Sequence, residues 1–516
     1  MRTPQPYRPL SYLESHAQSR PGELALYDNG ERLSFEELFW RVQALMSFLS
    51  EEGVSPGEVV AVSLPNTWQY VAAEIALPAL GAVILPLAPS LGAYEMESAL
   101  SRTRARLLLC DAEAAASVSA MRSRLFSLRS VIELLGLELS PPARAMEPYP
   151  TEPEQIVQIA LTSGTTGEPK LACLSAQLKQ LTFEGYTTRL GITPDDRVLP
   201  LSPITQGVGE MSLYSLRVGA SLVMVHERRF SPARDLRLAS LSRATVLSGV
   251  PTMIGRLLRH PSFSTTDLSS LRVTAVAGAP LPPALAESWE KATGSRVCGF
   301  YGAMDIGQLA VASPADPPLK RWETVGRPHE AAELRICDAS GNEVAPGSVG
   351  EICMRGPLVQ QRYWGAKSGP FSADGWAHFG DLGYLDELGY VHIVGRAKDT
   401  IIRGGDNINP VEVETVLVRH PAVSEACLVG LPDEDLGERP FAFVVLRPGC
   451  ELSLESVRDF LRAEGLAHYK WPERLAVVPE LPLGSSGKVK RSELREKAAA
   501  EFAPGRPERG ADAGGL

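Results

Sequence analysis

Seven short apolar runs set the pattern of about the first three hundred residues. They are EVVAVSL (58–64), AVILPL (82–87), RARLLLC (104–110), RVLPLS (197–202), ASLVMV (220–225), ATVLSGV (244–250) and LRVTAVAG (271–278). Helix-length segments such as 67–80 and 208–218 separate them. A nearly unbroken Val/Leu/Ile strand is covered on both faces, and alternation with helices makes the sheet parallel. The texture changes after about residue 325. There AELRICDASGNEVAPGSVGEICMRG reads as short antiparallel strands joined by Gly, Asn and Pro turns. Beyond about residue 396 the chain reads helix (410–420), strand (423–429), strand (441–446), helix (453–464) and strand (474–478), a compact α+β unit. The last stretch, EFAPGRPERGADAGGL, has the composition of a disordered tail.

Bulk properties narrow the class. The 516 residues suggest about three or four domain-sized units. Apolar residues at 44% and charged residues at 22% are the balance of a soluble globular chain. The net charge is −10 and no long Lys/Arg block occurs, so the footprint of a nucleic-acid binder is missing. The 7 cysteines are scattered, with no CxxC pair and no zinc-type Cys/His spacing, and read as buried small residues in a reducing compartment. No secretory apolar run opens the chain, and no segment has the length and apolarity of a membrane span. These features lead to the expectation of a cytoplasmic protein with no membrane insertion. GxSxG and HExxH motifs are missing, and the 8 histidines show no ligand spacing.

The stretch LTSGTTGEPK (161–170) carries the first chemistry. Gly164, Thr165, Thr166 and Gly167 put open backbone amides and two hydroxyls in one turn, which suits phosphate oxygens, and Lys170 adds a compact positive charge. The GxxxxGK[ST] spacing does not fit, here or at GSSGK (484–488). By itself such a loop reads as readily as a surface connection.

Four further segments follow: FYGAMD (300–305), DGWAHFGDLGYLDELGY (374–390), GRAKDTIIRGGDNINPVEVE (395–414) and LPLGSSGKVKR (481–491). With LTSGTTGEPK they stand in an order that resembles the adenylate-forming enzymes, the superfamily of acyl- and aryl-CoA synthetases, non-ribosomal peptide adenylation domains and luciferases. The resemblance runs from about residue 10 to 495, and 395–414 is its most specific part. It implies an α/β fold: a large N-terminal domain of two α/β sheet subdomains plus a small β-barrel (1–395), a hinge (396–398) and a small mobile α+β C-terminal domain (399–500), ahead of the tail 501–516. It also implies two half-reactions. A carboxylic acid and ATP give an acyl-adenylate, and the thiol of coenzyme A or of a carrier-protein phosphopantetheine then displaces AMP.

The resemblance carries roles onto matching residues. Thr162, Ser163, Gly164, Thr165, Thr166 and Gly167 would hold the β- and γ-phosphates with help from Lys170, although Leu171 replaces the usual glycine. Gly278, Ala279 and Pro280 of VAGAPL match the adenine-binding turn. Tyr301, before Gly302, would stack on the base. Asp305 stands where the family has its Mg²⁺-binding glutamate, and Met304 replaces a threonine; a carboxylate suits that hard cation. Asp381 would accept the ribose hydroxyls, with Phe379 in place of the usual threonine, and Arg396 would contact ribose or phosphate. Lys398 matches the hinge position, and Gly404 and Gly405 border the thiol channel or form a simple hairpin turn. Lys488 matches the lysine that bridges substrate carboxylate and α-phosphate. The catalytic set is therefore Lys488, Thr166 and Asp305.

The acyl pocket falls near PLSPITQGVGEM (200–211), with Gln206, Gly207, Met211, Val250, Met304 and Ile306 as its expected lining. No Asp occurs between 197 and 234, which disfavours an α-amino acid, while Glu210 leaves another amine-bearing acid open. A bulky acyl or aromatic acid is expected. The acceptor is CoA or an acyl carrier protein. The departures at Asp305, Met304 and Phe379 leave a third alternative, a catalytically altered small-molecule binder on the same fold.

Overall fold

The computed structural model describes residues 7–162, 170–205, 207–226, 230–303, 306–359, 362–366, 371–372, 374–433, 435–484 and 487–501 of the chain. Its contacts divide it into two compact units. The first comprises Met1–Phe379, Gly383–Ile393 and Ser485–Gly487; the second comprises Gly380–Leu382, Val394–Gly484 and Lys488–Leu516.

All seven apolar runs form strands, and they lie in two sheets. The six-stranded sheet has the order Ser130–Glu133, Leu107–Cys110, Val59–Ser63, Val83–Pro86, Ile156–Thr162 and Lys170–Ser175. Its first five strands are mutually parallel, and the last pair is an antiparallel hairpin. The nine-stranded sheet has the order Arg327–Pro328, Gly307–Val311, Arg296–Ala303, Val273–Val276, Val246–Gly249, Arg197–Pro200, Ser221–Met224, Leu24–Asp28 and Glu31–Ser34. Six strands in its middle are parallel, and antiparallel strands close both margins. Strands buried on both faces, such as Val59–Ser63 and Val273–Val276, explain why the sequence shows runs and not alternation.

The two named helix candidates are present. One is Trp68–Ala79. The other divides into an α-helix, Gly207–Leu213, and a 3₁₀ turn, Tyr214–Val218. A four-stranded sheet follows after residue 325: Glu333–Cys337, Gly350–Arg355, Ala377–Leu385 and Val391–Arg396, in that order. Its first pair is antiparallel, with Arg335 opposite Cys353.

The second unit is built on a five-stranded sheet of Asp406–Ile408, Ile401–Arg403, Gly437–Leu446, Val423–Asp433 and Arg474–Val477. Successive residues of its long strands face opposite sides, as the pleat requires. Leu428 and Ala442 pack in one apolar cluster with Val413 and Leu461. Cys427, Val429, Phe441 and Phe443 pack in another with Leu494 and Ala498. The strands run longer than the sequence predicts, since Val423–Asp433 extends past 429 and Gly437–Leu446 begins before 441.

Charge is also buried in the first unit. The helix Ala176–Leu190 carries Lys179, whose side chain is 1% exposed. Its ammonium donates to Glu74 at 2.7 Å, to Glu210 at 2.9 Å and to the side-chain carbonyl of Gln158. Gln158 also donates to Glu210 at 3.1 Å. Burial pushes the Glu74 carboxyl above its ordinary value against the pull of Lys179. Burial opposes the charge on Lys179 as well, but Glu210 and Glu74 overcome it and hold the ammonium well above the ordinary lysine range. Removing only the cation leaves two carboxylates without a counter-charge, a loss of about 3–5 kcal/mol. Lys179→Ala should therefore lower the thermal unfolding transition of the first unit, monitored by tryptophan fluorescence. The triple variant Lys179→Met/Glu74→Gln/Glu210→Gln should recover most of the loss.

Candidate active site

The phosphate-loop segment bridges two antiparallel strands. Thr162 and Lys170 are register partners at the mouth of the hairpin formed by Ile156–Thr162 and Lys170–Ser175. Both backbones are thereby held across one ladder, and a seven-residue connection spans them. Ser163, Gly164, Thr165, Thr166 and Gly167 belong to that connection and lie outside the described residues. The Lys170 ammonium sits 5.2 Å from the centroid of the Tyr363 ring. Leu171 is 1% exposed and packs with Leu85 and Ile159. A strand position facing the core accounts for an apolar residue where the family has glycine.

Parallel strands bring their carboxyl ends to one edge, and several expected site residues gather there. Gly249, Val276 and Gly299 are aligned across neighbouring strands. Just beyond them come Val250, then Gly278, Ala279 and Pro280, then Tyr301 and Gly302. Such an edge is where open α/β sheets bind ligands. Ala279 and Pro280 are exposed, Tyr301 is half-buried and Val250 is buried. A Cβ on Gly302 would lie 2.2 Å from the Gly307 carbonyl oxygen, so the hairpin of Arg296–Ala303 with Gly307–Val311 admits only glycine at that point. Met304 and Asp305, in the connection of this hairpin, lie outside the described residues, as does Gln206. The space beside Gly207 is open to 4 Å, and Met211 is half-buried against the main core. Ile306 joins a cluster against which Tyr301 also packs. It is fully buried with Leu309, Ile336, Ile352 and Met354, in a cluster separate from that of Val250.

Glu210 does not wait for a substrate amine. It is 1% exposed, and its Oε1 is shared by Lys179 and Gln158. The amine-bearing acid that Glu210 left open in the sequence loses that support.

In the second unit, three residues distant in sequence come together. Arg396 Nε donates to Asp381 Oδ1 at 2.7 Å, and Asp381 is 4% exposed. Lys488 feels both. Its ammonium is held below the ordinary lysine pKa, first by lost hydration, then by the like charge of Arg396, with Asp381 pulling the other way. Lys488 keeps exposed surface while surrounding protein atoms displace part of the water that would stabilise its charge. Arg396 and Lys488 bring two cations near one carboxylate, and an anion is favoured beside such cations. Lys398 is exposed in the 3₁₀ turn Ala397–Asp399, which follows the strand carrying Arg396. Gly404 and Gly405, with φ of +59° and +93°, make the two-residue loop of the hairpin Ile401–Arg403/Asp406–Ile408. A turn with both central residues at positive φ calls for glycine.

Some polar residues escaped the sequence reading. Lys179 shows no motif, because only packing reveals which helix face is internal. Gln308 and Thr182 are each 1% exposed, and the Gln308 amide nitrogen and oxygen and the Thr182 hydroxyl lack hydrogen-bond partners among the described residues. A polar residue inside the apolar strand Gly307–Val311 was the available signal. Glu351, Cys353 and His378 also converge: His378 Nδ1 is 3.0 Å from a Glu351 carboxylate oxygen and 3.5 Å from the Cys353 sulfur, a grouping hidden by sequence spacing.

Known proteins match this chain over most of its length. Residues 13–364 fit the model of the AMP-binding enzyme family, and residues 412–488 that of the AMP-binding enzyme C-terminal domain. A feruloyl-CoA synthase of Amycolatopsis sp is 32% identical over 485 residues, covering 93% of this chain and 97% of the relative. A fatty acid–[acyl-carrier-protein] ligase, ScoC of Streptomyces coeruleorubidus, is 31% identical, covering 93% and 95%. Among solved structures, the anthranilate CoA ligase AuaEII in complex with anthranoyl-AMP superposes with a TM-score of 0.89 at 28% identity, covering 97% of this chain and 99% of that one. The chain belongs to the AMP-binding enzyme family and is an AMP-forming ligase of the adenylate-forming superfamily. Among the described residues no helix is long and apolar enough to cross a membrane.

The electrostatics of the second unit give a direct expectation. Asp381→Asn should lower the Lys488 pKa further, because it removes the opposing carboxylate, whereas Arg396→Met should raise it, because it removes the like charge. Competitive labelling of lysine amines against pH, read by peptide mass spectrometry, reports both shifts.

Proposed function

We propose that this enzyme activates a carboxylic acid with ATP and passes the acyl group to the thiol of coenzyme A. In the first step a carboxylate oxygen attacks the α-phosphorus, the bond to the β-phosphate oxygen breaks and pyrophosphate leaves. In the second, the sulfur attacks the acyl carbon, the bond to the AMP oxygen breaks, and the thiol proton passes to solvent. The observation that carries this reading is the grouping of Asp381, Arg396 and Lys488 in one unit, with the carboxylate already bonded to the arginine.

Each residue then has a physical task. Thr162 and the loop through Gly167 hold the terminal phosphates by backbone amides and hydroxyls, with Lys170 adding charge. The turn Gly278–Ala279–Pro280 presents backbone to the adenine edge, and Tyr301 stacks on its face. Asp381 accepts from the ribose diol, and Arg396 donates to ribose or phosphate. Lys488 offsets the repulsion between the incoming carboxylate and the α-phosphate where charge builds up. The carboxylate of Asp305 is a hard oxygen donor and fits Mg²⁺, which would neutralise part of the triphosphate charge when bound. Lys398 serves as the pivot between half-reactions, and Gly404 and Gly405 leave room for pantetheine.

The acid is bulky and preferably aromatic. A side chain at Gly207 would meet nothing within 4 Å, and both the feruloyl-CoA synthase and the anthranilate CoA ligase bear the names of aromatic acids. Likeness to ScoC supports a second acceptor, a carrier-protein phosphopantetheine.

ATP–pyrophosphate exchange over a panel of aromatic and aliphatic acids tests activation, and acyl-CoA formation with free CoA separates the two acceptors. Lys488→Ala should slow adenylation by about a hundredfold or more while thiol transfer from supplied acyl-adenylate persists. Equal loss of both steps would contradict the role given to Lys488. Because the ammonium pKa is depressed, the adenylation rate should fall on the alkaline side below the ordinary lysine range.

A further inference from the structure

A group of side chains that the ligase reading does not use lies in the four-stranded sheet. Its strands Glu333–Cys337 and Gly350–Arg355 pair with Cys337 opposite Glu351 and Arg335 opposite Cys353. Side chains alternate across a pleat. Ile336 and Ile352 enter an apolar cluster on one face. Cys337, Glu351 and Cys353 therefore share the other, where both cysteines pack on Trp376. The neighbouring strand, Ala377–Leu385, brings His378 to the same group. Two thiols, an imidazole and a carboxylate thus meet from three strands, a set that no local spacing in the chain announces.

The donor atoms converge closely. One oxygen of Glu351, the Cys353 sulfur and a ring nitrogen of His378 all lie within 4.8 Å of one another. His378 Nδ1 is 3.0 Å from Glu351 Oε2 and 3.5 Å from Cys353 Sγ. Zinc holds nitrogen and oxygen at about 2.0–2.2 Å and sulfur at about 2.3 Å, so its tetrahedral ligands stand about 3.3–3.8 Å apart. The two contacts of Nδ1 are close to that spacing. Hydrogen bonding serves the group poorly, because both contacts fall on one ring nitrogen. A protonated Nδ1 must divide its proton between oxygen and sulfur. An unprotonated Nδ1 accepts from the thiol and turns its lone pair toward the carboxylate. The thiol also lies 3.6 Å from the Glu351 carbonyl oxygen, a weak contact. A cation at the meeting point satisfies all three donors at once.

The donor set selects the metal. Thiolate and imidazole with one carboxylate favour zinc over magnesium or calcium. The Cys353 thiolate and the Glu351 carboxylate neutralise a dication, and the Arg335 guanidinium, which bonds Cys337, offsets a second thiolate. Burial, then Cys337 and Glu351, push the Cys353 thiol above its ordinary pKa, so without a metal it is an inert thiol and not a nucleophile. Cys353 is fully buried, while the Glu351 and His378 side chains are each 29% exposed, which gives an ion its way in.

We propose that Cys337, Glu351, Cys353 and His378 form a structural zinc site that ties three strands of this sheet together. Zn²⁺ takes one sulfur from each cysteine, Nδ1 of His378 and one carboxylate oxygen, and both thiol protons pass to solvent. Four protein ligands close the tetrahedron and leave no position for chemistry. The Cys337 and Cys353 thiols already act on one another, so a turn of the Cys337 side chain completes the set.

The test uses the full chain, purified under a thiol-free reductant, stripped with a chelator and titrated with Zn²⁺ or Co²⁺. Cobalt should give a thiolate charge-transfer band and the intense visible bands of tetrahedral coordination, and about one zinc per chain should displace it. The charge-transfer band should weaken in Cys337→Ser and in Cys353→Ser and vanish in the double variant. His378→Ala should weaken zinc binding by more than the about 10- to 100-fold that loss of an outer partner costs, and Glu351→Gln should weaken it too. Cys450→Ser, which changes the one cysteine that is not buried, should leave binding unchanged. Zinc should raise the thermal midpoint of the native chain. Circular dichroism of the metal-free variants establishes which are folded, and the native cobalt spectrum decides the matter even where a variant is not. A stripped native chain that takes up neither metal overturns the inference, as does a cobalt spectrum without the thiolate band. Zinc binding undiminished in folded Cys353→Ser and His378→Ala is adventitious and also overturns it. A reduced chain that takes up no zinc but forms a reversible Cys337–Cys353 disulfide marks a redox pair and overturns it too. None of these outcomes bears on the ligase reading, which the adenylation assays test separately.

Discussion

Parallel pairing is the constraint on which the rest depends. Strands separated in sequence by helices pair side by side in one direction, so their carboxyl ends share an edge. In the nine-stranded sheet this puts the residues after Val246–Gly249, Val273–Val276 and Arg296–Ala303 beside one another. No residue on that edge is drawn there by its own chemistry. Val250, Gly278 and Tyr301 are neighbours because their strands are. A ligand site built this way tolerates changes at its margin as long as the strands stay in register.

The charges obey a different logic in each place. Inside the first unit, Lys179 is surrounded by Glu74, Glu210 and Gln158, one cation against two carboxylates, and Glu74 Oε2 and Glu210 Oε2 have no hydrogen-bond partner among the described residues. In the second unit the cluster carries two cations, Arg396 and Lys488, near Asp381. Arg396 and Lys488 lie near one carboxylate, and the lysine pKa is depressed first by lost hydration and then by the like charge of Arg396. Such a cluster in a solvent-accessible place is an energetic opening for an anion. The ligase reading takes that opening as the place of the substrate's phosphate and carboxylate. Glu210 engages Lys179 through Oε1 only, and its Oε2 and both ends of the Gln308 amide have no partner among the described residues.

Much of this was legible beforehand. The seven apolar runs were recognisable as buried parallel strands because burial on both faces removes polar residues from every position, which is a purely local signature. Motif order carried the superfamily, and with it Asp381, Arg396 and Lys488. The extents of the C-terminal strands were harder. Val423–Asp433 continues through Pro432, and a proline ordinarily signals an end. The segment 208–218 read as one helix, but its second half tightens into a 3₁₀ turn that stops at Gly219, whose φ is +88°. Ile306 was read as pocket lining because it follows FYGAMD, yet its side chain joins the core around Ile336 and Ile352. Proximity along the chain does not say to which side a residue points.

By itself, the sequence determined the elements and the chemistry class, because strand burial, glycine turns and an ordered set of motifs are written in neighbouring residues. Only the tertiary structure decided the partnerships. Lys179 with Glu74, Arg396 with Asp381, and Gln308 with no partner in sight join or strand residues that stand on different elements. Whether a polar side chain is paired depends on what the fold brings within about 3 Å of it, and that distance is set by packing between elements that the linear order leaves free.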